Sequence, residues 1–154
     1  MDRLLKSFLA GLAGTLAHLT LSCLKSQLGI LPAFQPYDEL QRGLAALTGA
    51  SVSVPIGYAL TFVNGALIWG FVFARLFRWL PGRTPLRKGL FFAFCAWAVS
   101  GIVFFPAMGR GPFAWGLGLG AGPALLMLVM LSVYSCTMSF VWSALTHPAG
   151  ARRP

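Results

Sequence analysis

Four polar side chains stand inside long apolar runs: His18, Asn64, Ser100 and Tyr134. In hydrocarbon such residues mark either an internal hydrogen bond or a working site. Counted from the ends of their runs, His18 and Asn64 fall near the middle. Ser132, Tyr134 and Ser135 do the same in the last run, Ser100 lies slightly off centre, and Thr15, Thr20 and Thr61 are close by. The expectation is one mid-membrane polar layer in which His18 and Asn64 hydrogen-bond each other. A haem needs one or two axial ligands, and the second histidine, His147, lies roughly 15 Å from that depth at the helical rise. A proton relay needs titratable partners, and no Asp, Glu or Lys shares the depth of His18. The partner count favours a neutral imidazole held inside packed helices.

The remaining reactive residues form no recognisable chemistry. Cys23, Cys95 and Cys136 fall inside apolar runs at no metal-ligand spacing; Cys95 and Cys136 lie at similar depth but have no further ligands, so packing is their expected role. Lys25, near the end of the first run, is expected to extend its ammonium to the interface. After Asp2 the acids are Asp38 and Glu39, adjacent in sequence and so pointing apart on a helix. Gly116 to Gly122 is glycine-rich but lacks the Lys-Ser or Lys-Thr of a phosphate loop. No catalytic residue, metal ligand or cofactor is assigned, and the chain is not expected to be an enzyme.

The elements that carry these residues follow from composition. Of 154 residues, 57% are hydrophobic and 10% charged, against about 25% charged in soluble domains. So few charges cannot cover a soluble fold, and so much apolar surface cannot stay disordered. A spanning helix needs about 20 apolar residues, and four stretches qualify: residues 4–30, 52–80, 89–105 and 115–145. Residues 1–23 resemble a secretion signal with a near-lipobox at Thr20-Leu21-Ser22-Cys23, but the apolar run continues to Leu31, so it is read as a span. The fold class is therefore an all-α integral membrane protein, a single domain of four transmembrane helices in an antiparallel bundle. Between the first two spans, residues 38–48 place Leu40, Leu44 and Leu47 on one helical face, with Asp38 as N-cap and Gly49 as stop. That segment is too short to span and is expected to be a surface helix.

The net charge of +9 is topological rather than a nucleic-acid signal, because the cations sit in connections between spans. Arg3, Lys6, Arg75, Arg78, Arg83, Arg87, Lys88, Arg152 and Arg153 share one side; Lys25, Arg42 and Arg110 lie on the other. The imbalance places both termini in the cytoplasm and the surface helix in the periplasm of a bacterial inner membrane. Arg75, Arg78, Arg83, Arg87 and Lys88 are candidate contacts for anionic lipids. Small residues mark helix interfaces in lipid: Ala10, Gly11, Gly14 and Ala17 in the first span, Gly57, Gly65, Ala66, Gly70 and Ala74 in the second. Gly116-x-x-x-Gly120 and Gly118-x-x-x-Gly122 supply two further pairs if the fourth span begins at Trp115.

Three stretches resemble an uncharacterised group of small four-helix bacterial inner-membrane proteins, a domain family of unknown function. They are Lys25-Ser26-x-x-Gly29-x-x-Pro32, Asn64-Gly65-x-x-x-Trp69-Gly70, and Phe105-Pro106-x-x-Gly109-x-Gly111-x-Phe113. The resemblance covers most of residues 10–140 and implies the same four-helix fold. Its pattern has a His three residues before Tyr134 and Gly after it, where this chain has Leu131 and Ser135. The resemblance brings no activity. With little mass outside the spans, the expected function is a non-catalytic accessory or structural component of a larger membrane assembly. Its partners would be the lipid bilayer and other membrane subunits or further copies, with no nucleic acid. The alternative is a small oligomeric transporter or channel constricted at the polar layer.

Overall fold

The computed structural model describes residues 2–35, 38–39, 41–43, 45, 49 and 53–146. The described chain is helical, with no strand among the described residues. Four helices are long and apolar enough to cross a membrane: α1 (Arg3–Gln27), α2 (Pro55–Leu76), α3 (Pro85–Ala107) and α4 (Gly122–Thr146). Leu40, Leu44 and Leu47 of the expected surface helix, and the terminal His147, Arg152 and Arg153, lie outside the described residues.

Local chemistry moves several boundaries away from those read by hydropathy. The chain leaves α1 at Leu28, and the connection folds back through Gly29 and Leu31, both at positive φ. α3 starts four residues before Gly89 because Thr84 caps it, accepting the Arg87 backbone N–H at 3.3 Å, with Pro85 in the first turn. It also runs through Pro106, after a π-wound segment Ser100–Phe104 in which Phe105 N–H reaches back to Ser100. The largest shift is at α4. Phe113, Ala114, Gly118 and Gly120 all have positive φ, and a right-handed helix cannot pass through such residues. Residues Pro112–Leu117 therefore form a 3₁₀ turn, α4 begins at Gly122, and the two glycine pairs expected on it do not lie on one helix face.

Interhelical contact follows the small residues elsewhere. α1 packs on α2 and α4, and α4 on α3. A Cβ at Gly11 would overlap the Ala66 carbonyl, and one at Gly70 would lie 2.8 Å from the Ser7 carbonyl oxygen, so α1 and α2 touch backbone to backbone. Gly14 gives the same close approach to Tyr134 on α4, and Gly89 on α3 to Cys136. Ser139 closes the α3–α4 pair by donating to the Pro85 carbonyl at 2.6 Å. Cys23 and Cys95 are exposed and Cys136 is half-buried, all three as free thiols.

Lys25 departs most from expectation. It is 2% exposed, and its ammonium donates to the carbonyl of Phe34, beneath the returning connection. Phe34 is itself fully buried against Phe105. Instead of extending to water, the buried Lys25 ammonium takes its polar contact from the Phe34 carbonyl, with the Asp38 carboxylate also acting on it.

Candidate functional site

α2 and α3 each pack on another helix but hardly on each other. Between them lies a cavity of about 430 Å³, floored by α1 and α4. All four residues of the expected polar layer, His18, Asn64, Ser100 and Tyr134, line it, together with Thr15 and Thr61. The rest of the wall is apolar: Trp69, Phe92, Met127 and Leu131 among others. Val99, Val103 and Phe104 line the cavity and are exposed, Val103 by 61%. The cavity is therefore open rather than enclosed along the α3 wall.

Both helices that border the opening are unwound at this depth. Val63–Trp69 of α2 and Ser100–Phe104 of α3 are π-wound; the first contributes Asn64, Gly65 and Trp69 to the wall and the second Ser100, Val103 and Phe104. π-turns widen a helix locally and are found frequently at functional sites. The second is braced from behind by Phe113, whose ring lies where a Cβ on Gly101 would be. That ring also packs at a tilt against Trp97, centroids 4.6 Å apart, and the Trp97 indole donates to the Ala124 carbonyl at 2.8 Å.

The polar floor is held by Tyr134. Its hydroxyl donates to the Gly65 carbonyl at 2.6 Å, a group inside the π-turn of α2, and the His18 ring packs edge-on against its ring at 6.2 Å. Thr15 and Thr61 donate to carbonyls of their own helices, Gly11 and Gly57, at 2.9 Å. Ser132 does the same to Leu128. Thr15 also has a side-chain hydrogen bond with Tyr134.

Each end of the opening is bridged. Toward the amino-terminal end, Phe92 of α3 meets Trp69 and Phe73 of α2 edge-on, at 5.8 and 5.0 Å. At the other end Glu39, 1% exposed, accepts from Arg42 at 2.6 Å and from Arg110, beyond α3, at 2.8 Å. The described residues Asp38, Glu39, Gln41–Gly43 and Ala45 are helical. A Cβ on Gly57 would overlap Gln41, and one on Gly43 would overlap Met108, so this segment sits on both α2 and the end of α3. The Glu39 pair ties it there. Sequence reasoning gave Glu39 no role; the Glu39–Arg42 spacing of three on a helix was a legible signal, whereas Arg110 was not.

The five candidate lipid contacts stand at the amino-terminal end. Arg75, Arg78, Arg83 and Arg87 are exposed. Lys88 is half-buried, donates to the Phe77 carbonyl at 2.7 Å and lies over the Phe77 ring at 4.4 Å. Lys88 thus completes the end of α2 rather than facing outward. Among the described residues no group of three His, Cys, Asp or Glu could hold a metal ion. The cleft offers hydrogen bonds in an apolar setting.

No curated protein and no solved structure matches this chain. Residues 1–152 match the model of a single family across the four spans and the cleft between them, and the chain belongs to that family, the family of unknown function DUF6789.

Proposed function

We propose that this multi-pass membrane protein is a non-catalytic component that holds a compact, bilayer-soluble molecule in the cleft between α2 and α3. The observation that carries this reading is an open cavity lined by both π-turns. The occupant enters from the hydrocarbon, places an apolar body against Trp69, Phe92 and Leu131, and directs one hydrogen-bonding group to the floor of His18, Asn64, Ser100 and Tyr134. About 430 Å³ lies within the roughly 300–1,000 Å³ of small-molecule sites. In this reading the protein serves a larger membrane assembly as an accessory subunit in an antiparallel bundle. Both termini are cytoplasmic, and the segment around Arg42 is periplasmic.

The test uses Trp69 as reporter. Detergent-purified protein is titrated with a short-chain benzoquinone, which is a quenching ring with hydrogen-bond acceptors, and with a fatty alcohol. Saturable quenching that disappears in Trp69→Phe supports the reading. Linear quenching, unchanged in that variant, removes it. Fusions of a compartment reporter at Gly82 and near Arg42 test the orientation, and a periplasmic Gly82 reporter reverses it.

The transporter alternative rests on the same polar floor. Against it, the Trp69–Phe73–Phe92 cluster closes the amino-terminal end with hydrocarbon, whereas a permeation path requires polar groups or water to continue to both faces. Solute or proton flux in liposomes, abolished by His18→Leu, would promote the transporter reading.

A further inference from the structure

The amino-terminal end of the packed helices has its own cavity, of about 320 Å³, between the start of α1 and the ends of α2 and α4. Arg3 and Lys6 line it from α1, Ala74 from α2, Phe77 and Arg78 from the two residues after it, and Trp142 and Thr146 from α4. Three cations, two from the start of the sequence and one from its middle, thus converge on one apolar-walled space. Arg3 is partly committed, donating to the Ala74 carbonyl at 3.1 Å. Arg78 lies over Trp79 at 5.0 Å, a contact that leaves its N–H donors for other groups. Both ion pairs among the described residues belong to Glu39, at the other end of α1.

We infer that this cavity is a specific site for the phosphate of an anionic phospholipid, with Lys6 and Arg78 as the charged ligands and Arg3 fixing the seam behind them. The lipid source follows from placement. The cavity lies at the end of spans long enough to cross the bilayer, where headgroup phosphates lie. Leu4 and Trp79, 67% and 72% exposed, flank Arg3 and Arg78 in sequence and offer apolar surface at the same end. Basic pockets between transmembrane helices at an interface recognise such headgroups. The site differs from a diffuse basic loop, because Arg75, Arg83, Arg87 and Lys88 do not line it.

That difference is the test. The protein in neutral detergent is titrated with phosphatidylglycerol and, separately, phosphatidylcholine, and bound lipid is counted by native mass spectrometry. Lys6→Gln/Arg78→Gln is compared with Arg83→Gln/Arg87→Gln, which removes the same charge outside the cavity. The pocket pair is expected to weaken phosphatidylglycerol binding about 25-fold, at about fivefold per cation. The outer pair should change it less than about threefold, leaving only the screened long-range term. Equal losses in the two pairs, or no loss in the pocket pair, overturns the site. Should the pocket pair fail to fold, Lys6→Met alone keeps most of the stem and is expected to lose about fivefold; wild-type binding in that variant overturns the site equally. Inorganic phosphate that binds as tightly as phosphatidylglycerol would make this a site for a soluble anion and overturn the lipid assignment.

Discussion

The α1–α2 seam and the α2–α3 cleft share a helix and differ in almost every other respect. At the seam Gly11 and Gly70 bring backbones into contact, with Ala66 filling the line between them. At the cleft the same helix presents a π-turn, Asn64 and Trp69, and α3 stands off. In water such a gap would tend to collapse to bury apolar surface. In a bilayer the gain is absent, because lipid chains are as apolar as the side chains. Helices there close only where their shapes fit, so an opening bordered by apolar residues can persist. The lesson is that small residues mark the seam, whereas the cleft, which Gly65 and Ala96 also line, stays open where the two helices do not fit each other.

The largest effect that would break this contrast is at the seam. Gly11→Val places two methyl groups against the Ala66 backbone, which cannot move aside as a side chain would. It should cost about 2–3 kcal/mol, read as a lower midpoint of unfolding in mixed dodecyl sulfate micelles. A wild-type midpoint would mean that the seam is not close-packed.

Next is the Glu39 bridge, at the end of the cleft away from Phe92. Glu39→Ala leaves Arg110, whose side chain is 31% exposed, and Arg42 without their carboxylate. The expected cost is about 2 kcal/mol. Because Arg110 can still reach water, Arg110→Ala in the Glu39→Ala background should add little. Full additivity of the two changes would show that the pair is not coupled.

Tyr134→Phe removes the hydroxyl that holds Gly65 and tests the floor itself. Hydrogen bonds between membrane helices average about 0.6 kcal/mol, so the same unfolding assay should show a small loss. The proposed ligand should bind more weakly by a larger factor, since the π-turn of α2 loses its anchor. Smallest of all in stability is Val99→Phe, at a cleft-lining position that is 52% exposed. Its stability should stay within about 0.5 kcal/mol of wild type, while saturable quenching of Trp69 disappears. Retained quenching would separate the ligand from the cleft.

His18, Asn64, Ser100 and Tyr134 illustrate how far linear reasoning reached. Their common depth was legible, because depth is only a count of residues from the ends of a run at 1.5 Å each. The bond from Tyr134 to Gly65 was not, since it joins residues 69 apart in the chain and uses a carbonyl, a group every residue carries. Gly11, Ala66 and Gly70 were readable as interface residues from size alone. Gly116 to Gly122 misled for the same reason: size says nothing about φ, and Gly118 and Gly120 at 70° and 60° turn the chain instead of lining a helix.

Hydropathy and charge, which add up locally along the chain, were enough to set four spans, a polar layer near their centre and a basic end. Which helices touch, which stand apart and which cations meet is decided by pairwise fit between distant segments. Lys25 and Lys6 make the point. Both are lysines near an end of the same helix, yet one is buried and donates to the Phe34 carbonyl, while the other lines a cavity with Arg78. Nothing local to either lysine distinguishes them. The difference is created when the connection folds over one end and three helices converge around the other.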